Sequence, residues 1–413
     1  MAVTKSILGS FRKRFPVTAM YGSVIAMKKH MPQLLLLVAV VFCTFFSRLL
    51  ISPLLLTVSE DLEINYARAT SLFLLTSVGY ILALFFSGFI SARITHHWTI
   101  VLATALTAFS LALIGLSEDV VILSLGFVLL GMGPGFYPAS GIPMITSLVG
   151  LKHLGKGMAV VDTGINFAFI LTPIAAAVLL PVMSWRLLFL TGSVMVIMVS
   201  ILNACFGKAG HFRGTPPNYH NLSVIFRNRA FWVVTCWIGL LSAATIGIFA
   251  ILPSFLVLDR GMDQEFVNAI VGSSRVSGLF VLYAAAWLGD HWGRRQIIPM
   301  VFLCSGVFTF SLGISEGSLL FLCVFVQPLF GAAFFPSTFA FLSENVSREH
   351  QNVAIALVVG IGNICGVGIF PFLMGLLETA GLARWGFMGL GVLMLSSLSL
   401  MFFLPAKANA QQN

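Results

Sequence analysis

The sequence contains two versions of one segment, GFISARITHHWTI at residues 88–100 and AWLGDHWGRRQII at residues 286–298. They start 198 residues apart (286 − 88), which is close to half of the 413-residue chain. Each copy joins two apolar stretches and carries basic side chains. The spacing therefore predicts a chain made of two related halves.

Other landmarks recur with the same offset. The aligned pairs are Phe136-Tyr137-Pro138 with Phe334-Phe335-Pro336, Pro173 with Pro371, and Gly164 with Gly362. Because several separate landmarks agree on one register, the repeat extends through both halves. A parallel repeat of this kind is typical of many secondary transporters.

The composition places both halves in a membrane. Hydrophobic residues make up 58% of the chain and charged residues 9%, whereas about a quarter of an ordinary soluble domain is charged. A helix needs about 20 apolar residues to cross a bilayer, and twelve such stretches are predicted. They are residues 33–58, 69–92, 98–116, 119–143, 157–180, 186–206, 231–256, 264–289, 297–315, 318–343, 352–377 and 384–404.

The expected fold is therefore an all-α membrane protein of two six-helix bundles. A polar stretch with Pro216-Pro217 and little apolar periodicity separates them and predicts a linker. The predicted organisation is a basic cytoplasmic segment at 1–32, a bundle at 33–206, a cytoplasmic linker at 207–230, a second bundle at 231–404 and a cytoplasmic tail at 405–413. The basic segment could lie along the anionic inner leaflet or form a disordered tail.

Basic residues predict the orientation. With the amino terminus in the cytoplasm, seventeen of the 23 Lys and Arg residues lie inside, four lie outside and two lie within spans. Because cytoplasmic loops are enriched in Lys and Arg, both termini are expected in the cytoplasm of a plasma-membrane protein, in bacteria the inner membrane. The net charge of +9 is then explained by this bias and does not indicate nucleic-acid binding.

The second loop copy resembles the loop signature of the major facilitator superfamily, G-x-L-A-D-R-x-G-R-R. The resemblance implies the twelve-helix facilitator fold and a loop that latches the two halves in one state of the transport cycle. The residues it assigns to this gating loop are Gly88, Arg93, Asp290, Gly293, Arg294 and Arg295. The first copy departs from the pattern, because Ala92 stands where the signature has its acid.

Three charged side chains lie inside predicted spans and away from the span ends: Arg48, Arg275 and Asp162. An ionised group costs about 2.5–3.5 kcal/mol in a bilayer even on the mildest scale, so each is a functional candidate. Arg48 and Arg275 lie near the middle of the first and eighth spans, one in each half. Two guanidinium groups that converge in a central cavity would bind a carboxylate or another oxyanion. The alternative is that Arg48 extends outward toward the membrane surface or bonds to free helix carbonyls, and that Arg275 pairs with another buried polar group.

The resemblance supports the two arginines, since they are similar in position to substrate arginines of organic anion carriers in this superfamily. Asp162 could carry a coupling proton, or it could be a helix-start acid or an ion-pair partner of Arg93 or Lys156. Four polar side chains are the best further candidates for substrate contact: Tyr80, Tyr137, Asn166 and Gln327.

The predicted function is a secondary active transporter of a small organic anion, by proton symport or exchange. A proton-coupled exporter of drugs or other amphipathic compounds is the alternative, and a membrane receptor or enzyme without transport is a further one. The sequence contains neither an HExxH motif nor a phosphate-binding GxxxxGK[ST] loop, so no enzymatic activity, metal or cofactor is expected. The expected partners are the anionic substrate, H⁺ and the lipid bilayer, with the monomer as the working unit.

Overall fold

The computed structural model describes the backbone of residues 17–150, 153–216, 222–276, 294–345 and 351–403. These residues form helices joined by short turns. The helices of the first half are α1 Val17–Leu49, α2 Ile51–Asp61, α3 Tyr66–Ile94, α4 His96–Gly115, α5 Val120–Val149, α6 Leu154–Leu179 and α7 Trp185–Phe206. A short helix, α8 Leu222–Phe226, leads toward the second half.

Two spans of the second half contain π-helical segments. The helices there are α9 Arg229–Ser242, α10 Ile248–Leu258, α11 Gln264–Ser274, α12 Arg294–Ile314, α13 Gly317–Asn345, α14 Gln351–Asn363, α15 Phe370–Thr379 and α16 Ala383–Ser397. The π segments are Ala243–Gly247, between α9 and α10, and Ile364–Ile369, between α14 and α15. A 3₁₀ turn at Leu398–Phe403 follows α16.

Most of the predicted spans are present as membrane-length helices. Within the described residues, nine helical stretches are long and apolar enough to cross a membrane, and two shorter apolar helices occupy 298–314 and 317–330. These eleven stretches correspond to all predicted spans except the eighth. The eighth is described only as far as Val276, so its second half lies outside the described residues.

The internal repeat is visible in matching ion pairs. Arg186 pairs with Asp61 in the first half, and Arg384 pairs with Asp259 at 2.9 Å in the second. Each pair spans 125 residues of sequence, and both members are offset by 198 residues between the halves. Equivalent side chains therefore form an ion pair inside each bundle at the same end, which we call the acidic end (Asp61, Asp259 and Glu316).

Glycines let neighbouring helices approach within each bundle. A Cβ atom on Gly131 of α5 would lie 1.8 Å from the backbone oxygen of Thr76 on α3, and one on Gly79 would lie 1.8 Å from that of Val128. No side chain fits at such a distance. Small residues allow this kind of close packing between helices in membranes, where lipid removes the hydrophobic drive for association.

The predicted linker is partly packed onto the first bundle. The backbone N–H groups of His96 and His97, at the start of α4, donate to the carbonyl oxygens of Phe212 and Gly210, and the N–H of Gly214 donates to Ser91. Residues 207–214 therefore belong structurally to the first bundle, although the polar composition placed them in the linker. A polar composition predicts that a segment contacts water, but it does not predict backbone hydrogen bonds to another segment.

Two helices also begin inside segments that are predicted to lie outside the membrane spans. The first helix begins at Val17, inside the predicted segment 1–32, and α9 begins at Arg229, inside the predicted linker. Hydropathy marks where the apolar part of a helix begins, whereas the helix itself continues as long as its backbone bonds do. Residues 1–16 lie outside the described residues.

The two bundles meet along two equivalent helix pairs toward the acidic end. In the first seam, α3 faces α15, where Gly375 lies against Thr70. In the second seam, α11 faces α6, where Gly272 lies against Ile170 and Ile174. Between them, the Ser52 hydroxyl of α2 donates to the carbonyl oxygen of Phe249 on α10 at 2.8 Å. The bundles are thus closed against each other at this end.

We expect Gly131→Ala to destabilise the protein, because the added methyl would push α3 and α5 apart. Overpacking of this kind costs about 1–3 kcal/mol. Thermal unfolding in detergent would detect it as a lower melting temperature. Gly389→Ala is the matched control, since a Cβ there meets no atom within 4 Å. Equal melting temperatures for the two variants would contradict the close packing of α3 and α5.

Candidate functional site

Arg48 lies next to a break in the first span. Helix α1 ends at Leu49 and α2 starts at Ile51. The side chain is buried, with 6% of its surface exposed. One terminal nitrogen donates to Oδ1 of Asn363 at 2.8 Å, and the guanidinium lies 4.9 Å from the centre of the Tyr80 ring. The Nε atom is buried without a partner among the described residues.

Arg275 occupies the carboxyl end of α11 and is held between two aromatic rings. Its guanidinium lies 4.8 Å from the ring centre of Phe249 and 5.4 Å from that of Phe169. A terminal nitrogen donates to the carbonyl oxygen of Thr245 at 3.4 Å. Its Nε is also buried, with no hydrogen-bond partner in the described part of the chain.

Phe249 connects the surroundings of the two arginines. Its ring lies under Arg275 and also lines a small pocket that contains Arg48. The pocket lies between the bundles, and its other lining residues are Leu49, Ser52, Phe73, Thr76, Ile246, Ala250 and Val367. Its free volume, about 10 Å³, has room for about one water molecule. The space beside Arg48 is therefore too small for an organic substrate in this state.

Interrupted helices position these groups. The π segment 243–247 presents the carbonyl oxygens of Ala244 and Thr245, which accept from Gln327 at 2.6 Å and from Arg275. Asn363, the acceptor for Arg48, immediately precedes the second π segment. π-helical turns are frequent at functional sites, and broken helices commonly build transporter binding sites.

Neither arginine is neutralised by an acid that the structure describes. Among the described residues, the ion pairs join only side chains at the acidic end, and none includes Arg48 or Arg275. Aromatic faces and amide or carbonyl oxygens stabilise a guanidinium group in part, but they leave its full charge in place. An uncompensated charge away from water is costly, and an anion placed between the bundles would remove that cost.

The predicted contact residues separate into different environments. Tyr80 lies against Arg48 as expected for a shared site. The Gln327 amide donates to Ala244 and, at 3.3 Å, to the hydroxyl of Thr309, so its described bonds support the π segment. Tyr137 and Asn166 instead accompany Asp162: Asn166 donates to the backbone oxygen of Asp162 at 3.1 Å, and Tyr137 is near enough to interact with its carboxyl group.

Asp162 is half-buried in α6 and forms no ion pair with a basic side chain that the structure describes. Neither Arg93 nor Lys156 is its ion-pair partner in this state. A carboxyl group without a cation near it gains less from being charged. The role of Asp162 as carrier of a coupling proton is therefore taken up as a proposal below.

The gating loop is described only in part. Gly88 is half-buried near the end of α3, and Arg93 is exposed and forms no ion pair with the described acids. Arg294 and Arg295 begin α12, with only their backbone described, and Asp290 and Gly293 lie outside the described residues. In place of a latch acid at Ala92, the backbone bonds from residues 210–214 hold the first copy of the loop.

Two residues of this site were not among the best candidates for substrate contact from sequence. Asn363 is one of the neutral polar residues on the predicted cavity helices and follows the repeated glycine Gly362, but the sequence does not rank it above the others. Phe249 is one of 38 phenylalanines and carries no signal that separates it from packing residues. Its role appears only when α10 and α11 are placed side by side.

Comparison with known proteins identifies the family. The sequence model of the Major Facilitator Superfamily matches residues 37–316 and 266–413. The chain belongs to the Major Facilitator Superfamily. The resemblance expected from the loop signature and the all-α fold of two bundles are thereby confirmed, and the chain is a transporter of this superfamily.

Two curated relatives align with most of this chain. One, from Cupriavidus pinatubonensis, is described as a probable 4-methylmuconolactone transporter and is 25% identical over 335 residues, which cover 75% of this chain and 77% of the relative. Another is the cis,cis-muconate transport protein of Acinetobacter baylyi, 21% identical over 364 residues, covering 83% of this chain and 86% of that protein.

Solved structures confirm the fold. A bacterial homologue of the human lysosomal transporter Spinster, in an inward-facing and occupied conformation, superposes with a TM-score of 0.75 at 12% identity, covering 90% of this chain and 95% of that one. A mutant of the peptide transporter POT gives a TM-score of 0.73 at 13% identity, covering 90% and 93%. At such identities the likeness concerns the fold alone.

We expect Asn363→Asp to raise the melting temperature, because it would give Arg48 a counter-ion at hydrogen-bonding distance. Asn363→Leu should lower it by removing the acceptor, a loss of about 1.5–3 kcal/mol for a bond to a charged group. Thermal unfolding of the purified variants measures both. In an Arg48→Gln background the gain from Asn363→Asp should disappear, and a gain that persisted there would contradict the pairing.

Proposed function

We propose that this protein transports a small organic carboxylate across the membrane by alternating access, in symport with protons or by exchange. The observation that carries the proposal is a pair of arginines, one from each bundle, without a described acid partner: Arg48 is buried and Arg275 is half-buried. A carboxylate offers two oxygens to the planar fork of a guanidinium and supplies the missing charge.

The aromatic surroundings support a planar or unsaturated substrate. Tyr80 lies beside Arg48, and Phe249 and Phe169 lie beside Arg275. Flat apolar faces next to a cation suit a compact acid whose carbon skeleton is itself flat. The two curated relatives are described as transporters of a muconolactone and of cis,cis-muconate, and this agreement in chemical class is a second support.

The mechanism follows from the placement of the site between the bundles. In the state described here the bundles are closed at the acidic end, and the pocket beside Arg48 is small. An anion that bridges Arg48 and Arg275 would neutralise charge on both bundles at once. The bundles could then rock around the occupied site, which is the usual basis of alternating access in transporters with two repeats.

Asp162 is the proposed proton carrier, together with Tyr137 and Asn166. The three side chains lie near one another on α5 and α6 of the first bundle. A carboxyl group that is half-buried and lacks a described cation can gain and lose a proton as its surroundings open and close. Coupled proton uptake would offset the negative charge of the substrate.

The proposal includes the topology inferred from charge. Both termini lie in the cytoplasm, the acidic end faces outside, and the protein works as a monomer in the plasma membrane, in bacteria the inner membrane. Lys and Arg residues concentrate at the opposite end of the bundle, as the positive-inside rule requires for this orientation.

A panel of candidate ligands tests the substrate class. We expect cis,cis-muconate, 4-methylmuconolactone or related unsaturated acids to raise the melting temperature of the purified protein, since a ligand selective for the folded state stabilises it. Cationic amphipathic drugs should not. Stabilisation by drugs alone would favour the alternative, an exporter of amphipathic compounds.

The two arginines test the binding site with the ligand so found. Arg48→Lys and Arg275→Lys should each reduce uptake into proteoliposomes at least about tenfold, because a single ammonium group cannot replace the two-pronged contact. Arg68→Lys is the control, since Arg68 is exposed near the start of α3. Wild-type uptake by either Arg48→Lys or Arg275→Lys would exclude a substrate anion that is bound by both arginines.

Proton coupling is tested at Asp162. Asp162→Asn should abolish accumulation driven by a pH gradient but leave substrate exchange, because the amide cannot exchange a proton over the cycle. Uptake and exchange can be measured in the same proteoliposomes. Asp119→Asn, at an exposed acid, should change neither. If the dependence on the pH gradient survives in Asp162→Asn, the residue has a structural role.

A further inference from the structure

Asn268 lies inside the second seam and has no hydrogen-bond partner among the described residues. The side chain has no exposed surface, and neither the amide nitrogen nor the amide oxygen meets a partner among the described residues. A buried amide normally bonds to its surroundings, because leaving both atoms unpaired sacrifices the bonds that it would form with water. Such an exception requires a physical reason.

The helix face that carries Asn268 is the one that meets the first bundle. Gln264, Asn268 and Gly272 are spaced by four residues, so they lie along one face of α11. Gln264 donates to the carbonyl oxygen of Pro53 at 3.1 Å, and Gly272 lies against Ile170. Asn268 is therefore enclosed at the contact that seals the bundles together at the acidic end.

The internal repeat supplies a comparison at the equivalent position of the first seam. The residue 198 positions before Asn268 is Thr70, which lies against Gly375. Its hydroxyl donates to the carbonyl oxygen of Ala67 on its own helix at 2.9 Å. A threonine can satisfy itself in this way at any stage of an opening motion. The longer amide of Asn268 forms no such bond among the described residues. Closing the second seam therefore leaves a polar side chain unpaired, whereas closing the first seam does not.

We propose that Asn268 is a positioning residue that sets the balance between the closed and open states at the acidic end. In the closed state its amide is buried and unpaired, which destabilises the seam. When the seam opens, water reaches the amide and satisfies it. The residue thereby keeps the seal weak enough for the substrate pathway to open, and it does so without contacting the substrate.

The inference depends on membership in a transporter superfamily and not on the identity of the substrate. It also predicts opposite effects for two substitutions of similar size. Asn268→Leu removes the unpaired amide and should stabilise the closed seam. Asn268→Asp places a more strongly hydrated group there and should favour the open seam.

The rate at which a thiol in the first seam is modified reports how often the bundles open. Thr70→Cys is introduced into the full chain with its six native cysteines replaced by alanine, because Thr70 has no exposed surface and lies between the bundles. The protein is reconstituted in lipid nanodiscs and treated with a membrane-impermeant maleimide. When opening and closing are fast, the labelling rate is proportional to the open fraction.

We expect Asn268→Leu to slow labelling about tenfold, which corresponds to about 1.4 kcal/mol, and Asn268→Asp to accelerate it. Asn203→Leu is the matched control. Asn203 is also buried with an unpaired amide nitrogen, but its helix α7 packs against α1 and α4 inside the first bundle. This control can change the melting temperature and should leave the labelling rate unchanged.

Labelling rates equal to wild type in both Asn268 variants would overturn the proposal, and so would faster labelling in Asn268→Leu. An equal slowing by Asn203→Leu would assign the effect to general stabilisation and overturn it as well. Should Asn268→Asp fail to insert, Asn268→Thr replaces it: its hydroxyl can bond within α11, so labelling must be slower than in wild type.

Discussion

The arrangement of the site depends on two guanidinium groups that are held between the bundles without a counter-charge among the described residues. Arg48 and Arg275 come from different bundles, and each is supported by a ring face and one oxygen acceptor. These contacts hold the side chains in place but leave the positive charge unneutralised. Because burial of charge is costly, the proposed anion would stabilise the two bundles together by lying between them.

Helix interruptions make this arrangement possible. Continuous α-helices use nearly all of their carbonyl groups internally, so they offer little to a buried cation or amide. The π segment at 243–247 presents carbonyl oxygens to Arg275 and Gln327, and the segment at 364–369 follows the acceptor Asn363. Arg48 itself lies next to the break after Leu49. The polar chemistry of the bundle is thus concentrated where regular helix geometry ends.

The closed seams explain how such a site can be opened. Glycine contacts in the first seam and the pairing of α11 with α6 in the second hold the bundles together at the acidic end. The first seam satisfies Thr70 internally, while the second encloses the Asn268 amide, which has no partner among the described residues. Equivalent positions of the repeat therefore differ in how well their polar groups are hydrogen-bonded. In the proposed role of Asn268, this asymmetry favours the opening of the second seam.

The sequence alone determined the membrane class, the two related halves and the candidate arginines, because hydropathy, repeat spacing and charge in an apolar stretch are local properties. It also named Tyr80, whose contact with Arg48 the structure describes. Only the tertiary structure decided that Phe249 and Asn363 belong to the site, that Gln327 supports a π segment, and that residues 207–214 pack on the first bundle. These features depend on contacts between segments far apart in the chain, and no local pattern of residue types encodes which distant partner a side chain will meet.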